Sequence, residues 1–301
     1  MTEDRTIFRF ATANPYVGLR TFTYAERQLF FGREREARDL LARVVSERVL
    51  LFYAQSGAGK SSLLHTRLIP QLRDEEGFAV LPVGRVSGEL PAGVETVENI
   101  YLFNLMSSLD QCNSHPQRLA HLALSHFLAR LTSDDGAHWY YAPPPATLDL
   151  DVELARISND EGLADLADQV LAAALATAEA SAATPSNGAQ SPTYGEQRYV
   201  LIIDQFEEII TAHAHRRRDR ENFFRQLNGA LLDDPNLWVV LTLREDYVAA
   251  LDPYAHWMTD KLRARFYMER MGVRAALDAV RQPAAFAGHP FAEGGRRDLG
   301  R

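Results

Sequence analysis

Residues 54–61 read Ala-Gln-Ser-Gly-Ala-Gly-Lys-Ser, an order of residue types that can hold a polyphosphate. Gly57 and Gly59 accept positive φ, which lets backbone N–H groups converge on phosphate oxygens. A helix starting at the end of the loop aims its partial positive charge at the same anion. Lys60 is expected to reach the β- and γ-phosphates, and the Ser61 hydroxyl to ligate Mg²⁺. Ser56, Ala58 and Ser62 complete the set expected to contact the phosphates. Ala54 stands where glycine more often opens the pattern. The looser form of the pattern admits alanine, and a methyl at a strand end costs little unless φ is positive there. Lys60 and Lys261 are the only lysines of the chain. An ammonium inside the glycine loop is therefore not incidental.

Two further stretches carry matching chemistry. In Val-Leu-Ile-Ile-Asp-Gln-Phe-Glu-Glu (200–208), four apolar residues end on Asp204, which is expected to hold Mg²⁺ through water at a strand's C-terminal end. Either Glu207 or Glu208 would orient and deprotonate an attacking water. The plainer alternative is a helix start stabilised by its acids. In Val-Val-Leu-Thr-Leu-Arg-Glu-Asp (239–246), Arg244 stands at a strand tip where it can sense a γ-phosphate. Its alternative is a surface ion pair with Glu245 or Asp246.

Elements must place these groups. Ala37, Leu40, Leu41, Val44 and Val45 make the stripe of an amphipathic helix over 33–45. Residues 48–54 predict a buried strand, and 59–72 a helix, so the loop lies between strand and helix as the chemistry requires. Further strands are predicted at 78–86, 197–204 and 236–246, and helices at 98–109, 116–131 and 220–232. Residues 273–287 start helical and meet Pro283, which should end or kink the helix. Strands alternating with helices and buried on both faces predict an α/β fold: a three-layer αβα phosphate-loop NTPase domain with a mostly parallel sheet. The proline-rich and linker-like stretch at 133–198 interrupts this rhythm. It is read as an insertion, with a helix over 161–183 and a linker over 184–196. The domain reading is an N-terminal segment packing on the core (1–28) and the NTPase domain (29–260); the start of a partial helical lid (261–301) is what the family resemblance given below implies.

The bulk numbers agree with a globular chain that does not seek polyanions. Net charge is −8, so broad attraction to DNA or an anionic membrane is not favoured. The single cysteine, Cys112, leaves no intramolecular disulfide and no cysteine-based zinc site. No apolar run approaches the ~20 residues of a membrane span, and the N-terminus is unlike a signal peptide. A soluble cytoplasmic protein is expected. The cluster His-Ala-His-Arg-Arg-Arg-Asp-Arg-Glu (213–221) reads as a solvated helix start rather than a nucleic-acid patch, and His213 with His215 lacks a third metal ligand.

Taken together, Asn-Pro-Tyr-Val-Gly-Leu-Arg-Thr-Phe (14–22), Leu-Phe-Phe-Gly-Arg-Glu-Arg-Glu (29–36), the glycine loop, and the segments around Asp204 and Arg244 resemble the novel STAND group of bacterial NTPases. These are multidomain signal-transduction ATPases related to AAA+ proteins and to NACHT and NB-ARC switches. The resemblance covers roughly 14–132 and 197–292. It implies that Gly32, Arg33 and Glu34 belong to a segment that closes over the nucleotide, with Tyr16 or Phe31 as a stacking surface. It implies Asp204 as the Mg²⁺ aspartate, Glu207 and Glu208 as the acidic pair, and Arg244 as the sensor arginine. Pro283 falls on the lid proline that lies against adenine in related switches. ATP is favoured over GTP, because the guanine-reading Asn-Lys-x-Asp is absent. The implied function is a slowly hydrolysing ATP/ADP switch with Mg²⁺, whose nucleotide state controls self-association or an effector. The family continues past the lid into a winged helix and repeats. A truncated copy, or a separately encoded C-terminal sensor or effector, is therefore expected. The alternative function is a nucleotide-retaining scaffold without turnover.

Overall fold

The computed structural model describes residues 14–112, 116–142 and 197–291. The helix predicted over 161–183 and the linker over 184–196 lie outside these residues. Helix α1 (Glu34–Ser46) leads into strand β1 (Val49–Ala54) and the glycine loop. The helical run after the loop is α2 (Lys60–Leu63), a π-helical turn (Leu64–Leu68) and α3 (Ile69–Asp74). Pro70 lacks the N–H that would bond the Thr66 carbonyl, and the ladder widens just before it. Strand β2 (Ala79–Val80) and helix α4 (Ile100–Leu109) follow. Then come α5 (Leu124–Leu128), β3 (Leu131–Thr132) and β4 (Tyr140–Tyr141). The second half contains β5 (Tyr199–Ile203), α6 (Glu208–Thr211), α7 (Arg217–Asp233), β6 (Leu237–Arg244), β7 (Arg265–Met268) and α8 (Val273–Phe286).

Five strands form one sheet in the order β2-β5-β6-β1-β7. All four pairings are parallel. Side chains alternate across it as the pleat demands. Leu51 of β1, Leu201 and Ile203 of β5, and Leu241 and Leu243 of β6 pack with α4, α5 and α7 on one face. Leu50, Phe52, Val200, Ile202 and Val240 pack with α1 and the α2–α3 run on the other. Each fully buried Leu or Phe contributes about 1.5–3 kcal/mol relative to exposure, and this double-sided burial is why the strands read as continuous apolar runs. The expected three-layer α/β architecture is what forms.

Four local expectations differ. Residues 116–131 do not make one helix, but a 3-10 turn (Pro116–Leu119), the short α5 and the strand β3. A continuous helix would bond the Leu124 N–H to the Ala120 carbonyl. Instead Glu98 N–H takes that carbonyl at 2.9 Å, and Leu124 N–H donates to Gln226 Oε1 at 2.9 Å. Of the strand expected at 78–86, β2 covers two residues, with one isolated bridge at Gly84. Pro82 between them has no N–H for a ladder. Of the two outcomes expected at Pro283, an end or a kink, the helix does not take the first: α8 continues to Phe286. Finally, β7 was not anticipated. It extends the sheet beyond β1, with Phe266 facing the core and Tyr267 exposed.

Helix α8 lies close to the segment that precedes α1. A Cβ on Gly32, whose φ is +86°, would stand 2.4 Å from the Ala275 carbonyl oxygen. The Tyr16 hydroxyl donates to the Val280 carbonyl at 2.9 Å. Gly32→Ala combines a left-handed backbone with a backbone clash, so it is expected to cost about 2 kcal/mol or more. Urea unfolding checks this; an unchanged midpoint would mean that α8 does not dock on Gly32 in solution.

Candidate nucleotide-binding site

The glycine loop opens at the C-terminal edge of the parallel sheet, where α/β folds place ligands. Ala54 is fully buried and ends β1 in regular register with Arg244 of β6. Its methyl is thus absorbed by the core. Gly57 and Gly59 have φ of +73° and +93°, and nothing lies within 4 Å of where their side chains would be. Gly59 caps α2 with no side-chain hydrogen bond, so the first N–H groups of the helix face the loop without a capping side chain.

The loop floors a cavity of about 730 Å³. Five cationic side chains (Arg20, Arg33, Lys60, Arg244 and Arg270) and two carboxylates (Asp204 and Glu207) line it. On a chain whose net charge is −8, this local excess of positive charge selects an anion. Lys60 Nζ sits 3.4 Å from the Ala54 carbonyl oxygen. Burial pushes its ammonium below the ordinary range, the Glu207 and Asp204 carboxylates oppose that shift, and Arg244 adds to it. An arriving phosphate would restore the charged form.

Asp204 lies directly beyond. Its carboxylate accepts from the Ser61 hydroxyl at 2.7 Å and from the Thr242 hydroxyl. Asp204 is 5% exposed, and Thr242 is fully buried on β6, on the face it shares with Trp238, Val240 and Arg244. The Thr242 carbonyl also accepts from Phe206 N–H at 2.7 Å. Thr242 therefore fixes both the acid and the turn after it. Gln205 takes that turn with φ of +54°, unusual for a residue with a side chain. Thr242→Val keeps the shape but removes one donor to Asp204. A stability loss of about 1–3 kcal/mol is expected in urea unfolding, and no loss would show the contact to be dispensable.

The remaining expected residues divide into those brought to the cavity and those held elsewhere. Glu207 lines it, and its Oε2 accepts from the Arg244 N–H at 3.3 Å. Glu208 does not; its Oε1 pairs with Arg85 at 2.8 Å. Arg244 lines the cavity while Nη2 bonds Asp246 at 2.6 Å, so the surface ion pair also exists. Ser56, Ala58, Ser61 and Ser62 are all in the wall. Arg33 is 3% exposed and fastens the loop rather than lying free. It donates to the Ala58 carbonyl at 3.2 Å and to the Glu269 carbonyl at 2.9 Å. Gly32 and Pro283 are not in the wall. Gly32 lies under α8, and Pro283 is buried within that helix. Tyr16 and Phe31 are not in the wall either; the apolar lining comes from Leu19, Phe22, Phe30 and Met271. Phe22 N–H donates to Ser62 Oγ at 3.2 Å, and its ring meets Phe30 edge-on.

Sequence reasoning missed Thr242, Gln55, Arg270 and Met271. A threonine inside Val-Val-Leu-Thr-Leu was the available signal for the first. Arg270 and Met271 depend on β7, which was itself not foreseen. Among the described residues no group of three His, Cys, Asp or Glu side chains is arranged to hold a metal. A hydroxyl and a carboxylate in contact beside a phosphate cradle do suit a hard divalent cation that takes further oxygens from phosphate and water. In the 213–221 cluster, Arg216 pairs with Asp219 and Arg217 with Glu221, as at a solvated helix start. No helix among the described residues is long and apolar enough to cross a membrane.

Among curated proteins, none matches the chain significantly. The sequence model of the family described as Novel STAND NTPase 1 matches residues 15–299, nearly the whole chain. With a phosphate loop at the edge of an all-parallel sheet inside that span, the chain belongs to the novel STAND NTPase 1 family.

Proposed function

We propose that this chain is a regulatory ATPase that binds MgATP, hydrolyses it slowly, and reports the presence of the γ-phosphate. The observation that carries the reading is the Ser61–Asp204 hydrogen bond of 2.7 Å at the mouth of the glycine loop. It unites the two hard-oxygen groups a nucleotide-bound Mg²⁺ would use, the Ser61 hydroxyl at the end of the loop and the Asp204 carboxylate just beyond β5. When bound, the ion would neutralise charge on the phosphate oxygens.

In this reading the loop amides and Lys60 hold the β- and γ-phosphates. Glu207 orients water and takes its proton as oxygen attacks the γ-phosphorus, with ADP leaving. Glu207 serves better than Glu208, because Arg85 holds Glu208 outside the cavity. Arg244 meets the γ-phosphate and exchanges it for Asp246 when phosphate departs. Output through self-association or an effector is part of the proposal. Such a response needs coupling of ~1–3 kcal/mol between sites. Single-turnover hydrolysis on purified protein tests the activity. The wild-type rate should exceed that of Lys60→Ala by more than a hundredfold; equal rates would leave only a nucleotide-retaining scaffold.

A further inference from the structure

Four arginines line the cavity, and three of them are already neutralised. Arg20 pairs with Glu26, Arg33 with Glu36, and Arg244 with Asp246 at 2.6 Å. Arg270 differs: among the described residues no carboxylate lies within ion-pair distance of it. It is exposed, and its Nε donates to the side-chain carbonyl of Gln55, the second residue of the phosphate loop. A neutral amide oxygen is a weaker acceptor for a guanidinium than a phosphate oxygen. Arg270 is thus held over the loop by a partner that an anion can displace.

The sheet order says which part of the anion it would meet. On one flank of β1 stand β6 and β5, carrying Arg244, Asp204 and Glu207. On the other flank stands β7, which ends at Met268, two residues before Arg270. A polyphosphate seated on the loop with its terminal, metal-chelated end toward Asp204 and Arg244 turns its inner end toward β7. The apolar wall agrees. Met271 follows Arg270, and the Phe30–Arg33 segment is tied to the β7 end through the Arg33 bond to the Glu269 carbonyl at 2.9 Å. The nucleoside thus belongs on the Arg270 flank.

We propose that Arg270 binds the nucleoside-proximal phosphate and sets affinity for di- and triphosphate alike, leaving discrimination between them to Arg244. The proposal rests on the nucleotide site described above. One residue beyond Met271, Gly272 caps α8, so this contact also fixes the connector from which the helix starts.

Calorimetric titration of ATP and of ADP, both with magnesium, into wild type, Arg270→Ala, Arg270→Lys, Gln55→Ala and Lys60→Ala tests it. Arg270→Ala should weaken both nucleotides by the same factor, roughly ten- to a hundredfold, with an unchanged melting temperature in the absence of nucleotide. Arg270→Lys should recover part of the loss. Gln55→Ala removes only the loop side of that hydrogen bond, so it should cost each nucleotide clearly less than Arg270→Ala does. Wild-type affinity in Arg270→Ala overturns the proposal, as does a loss confined to ATP. A loss in Gln55→Ala as large as that in Arg270→Ala also overturns it, because Arg270 would then act only by bracing the loop. If Lys60→Ala too binds like wild type, the site reading itself fails and the Arg270 proposal falls with it. If Lys60→Ala loses binding and Arg270→Ala does not, only the Arg270 proposal fails.

Discussion

Lys60→Ala is expected to weaken MgATP binding roughly a hundred- to ten-thousandfold, two charge-assisted contacts being lost at ~1.5–3 kcal/mol each. The effect should be this large because Lys60 is the one lysine among the cavity's cations and reaches the loop from inside. Its Nζ already rests 3.4 Å from the strand's last carbonyl oxygen. An arginine there would not restore the contact, since a planar fork cannot replace a compact ammonium beneath a tight loop. The variant itself should fold at least as well as wild type. Burial disfavours the Lys60 charge in the free protein, so removing the ammonium relieves a cost rather than creating one. For the same reason affinity should fall as pH rises through the depressed pKa of free Lys60. A neutral amine must first take up a proton before it can grip phosphate. Fluorescence titration with a labelled ATP analogue measures both effects, and a variant that binds within threefold of wild type would refute the assignment.

Glu207→Gln and Glu208→Gln are expected to separate chemistry from structure. Loss of a general base costs roughly 10²–10⁴ in rate, and Glu207 is the acid of the pair that lines the cavity. Glu207→Gln should therefore bind MgATP normally while single-turnover hydrolysis nearly stops. Glu208 pairs with Arg85 at 2.8 Å, and its second oxygen is buried without a partner. Glu208→Gln should leave the hydrolysis rate within a few-fold and show its effect as a modest change in melting temperature. Rapid-quench measurements under single-turnover conditions decide. A reversed pattern, with Glu208→Gln dead and Glu207→Gln active, would require the α6 region to rearrange on binding.

How much of this was legible beforehand follows from where the determinants lie. The loop, Asp204 and Arg244 were readable because each depends on local order: an apolar strand, then polar residues at its tip. Burial on both faces made β1, β5 and β6 uniform apolar runs, and they formed within a residue or two of expectation. The helix expected at 116–131 failed for a tertiary reason. Glu98 and Gln226 take the backbone groups that a helix would have paired, and neither is a neighbour in sequence. Which of Glu207 and Glu208 lines the cavity was likewise invisible, since Glu208 is held by Arg85, more than a hundred residues away. Strand β7 escaped because it is short and half exposed at a sheet edge. Its cavity residue, Arg270, escaped with it. Thr242 was visible as the one hydroxyl in an apolar run, but its partner was not.

Isothermal titration with ATP, in the presence and absence of magnesium, tests the central claim most directly. One saturable site per chain is expected, tighter by an order of magnitude or more with magnesium, and lost in Lys60→Ala. Absence of heat from wild type under every condition, together with a melting temperature unmoved by ATP or ADP, would contradict the account.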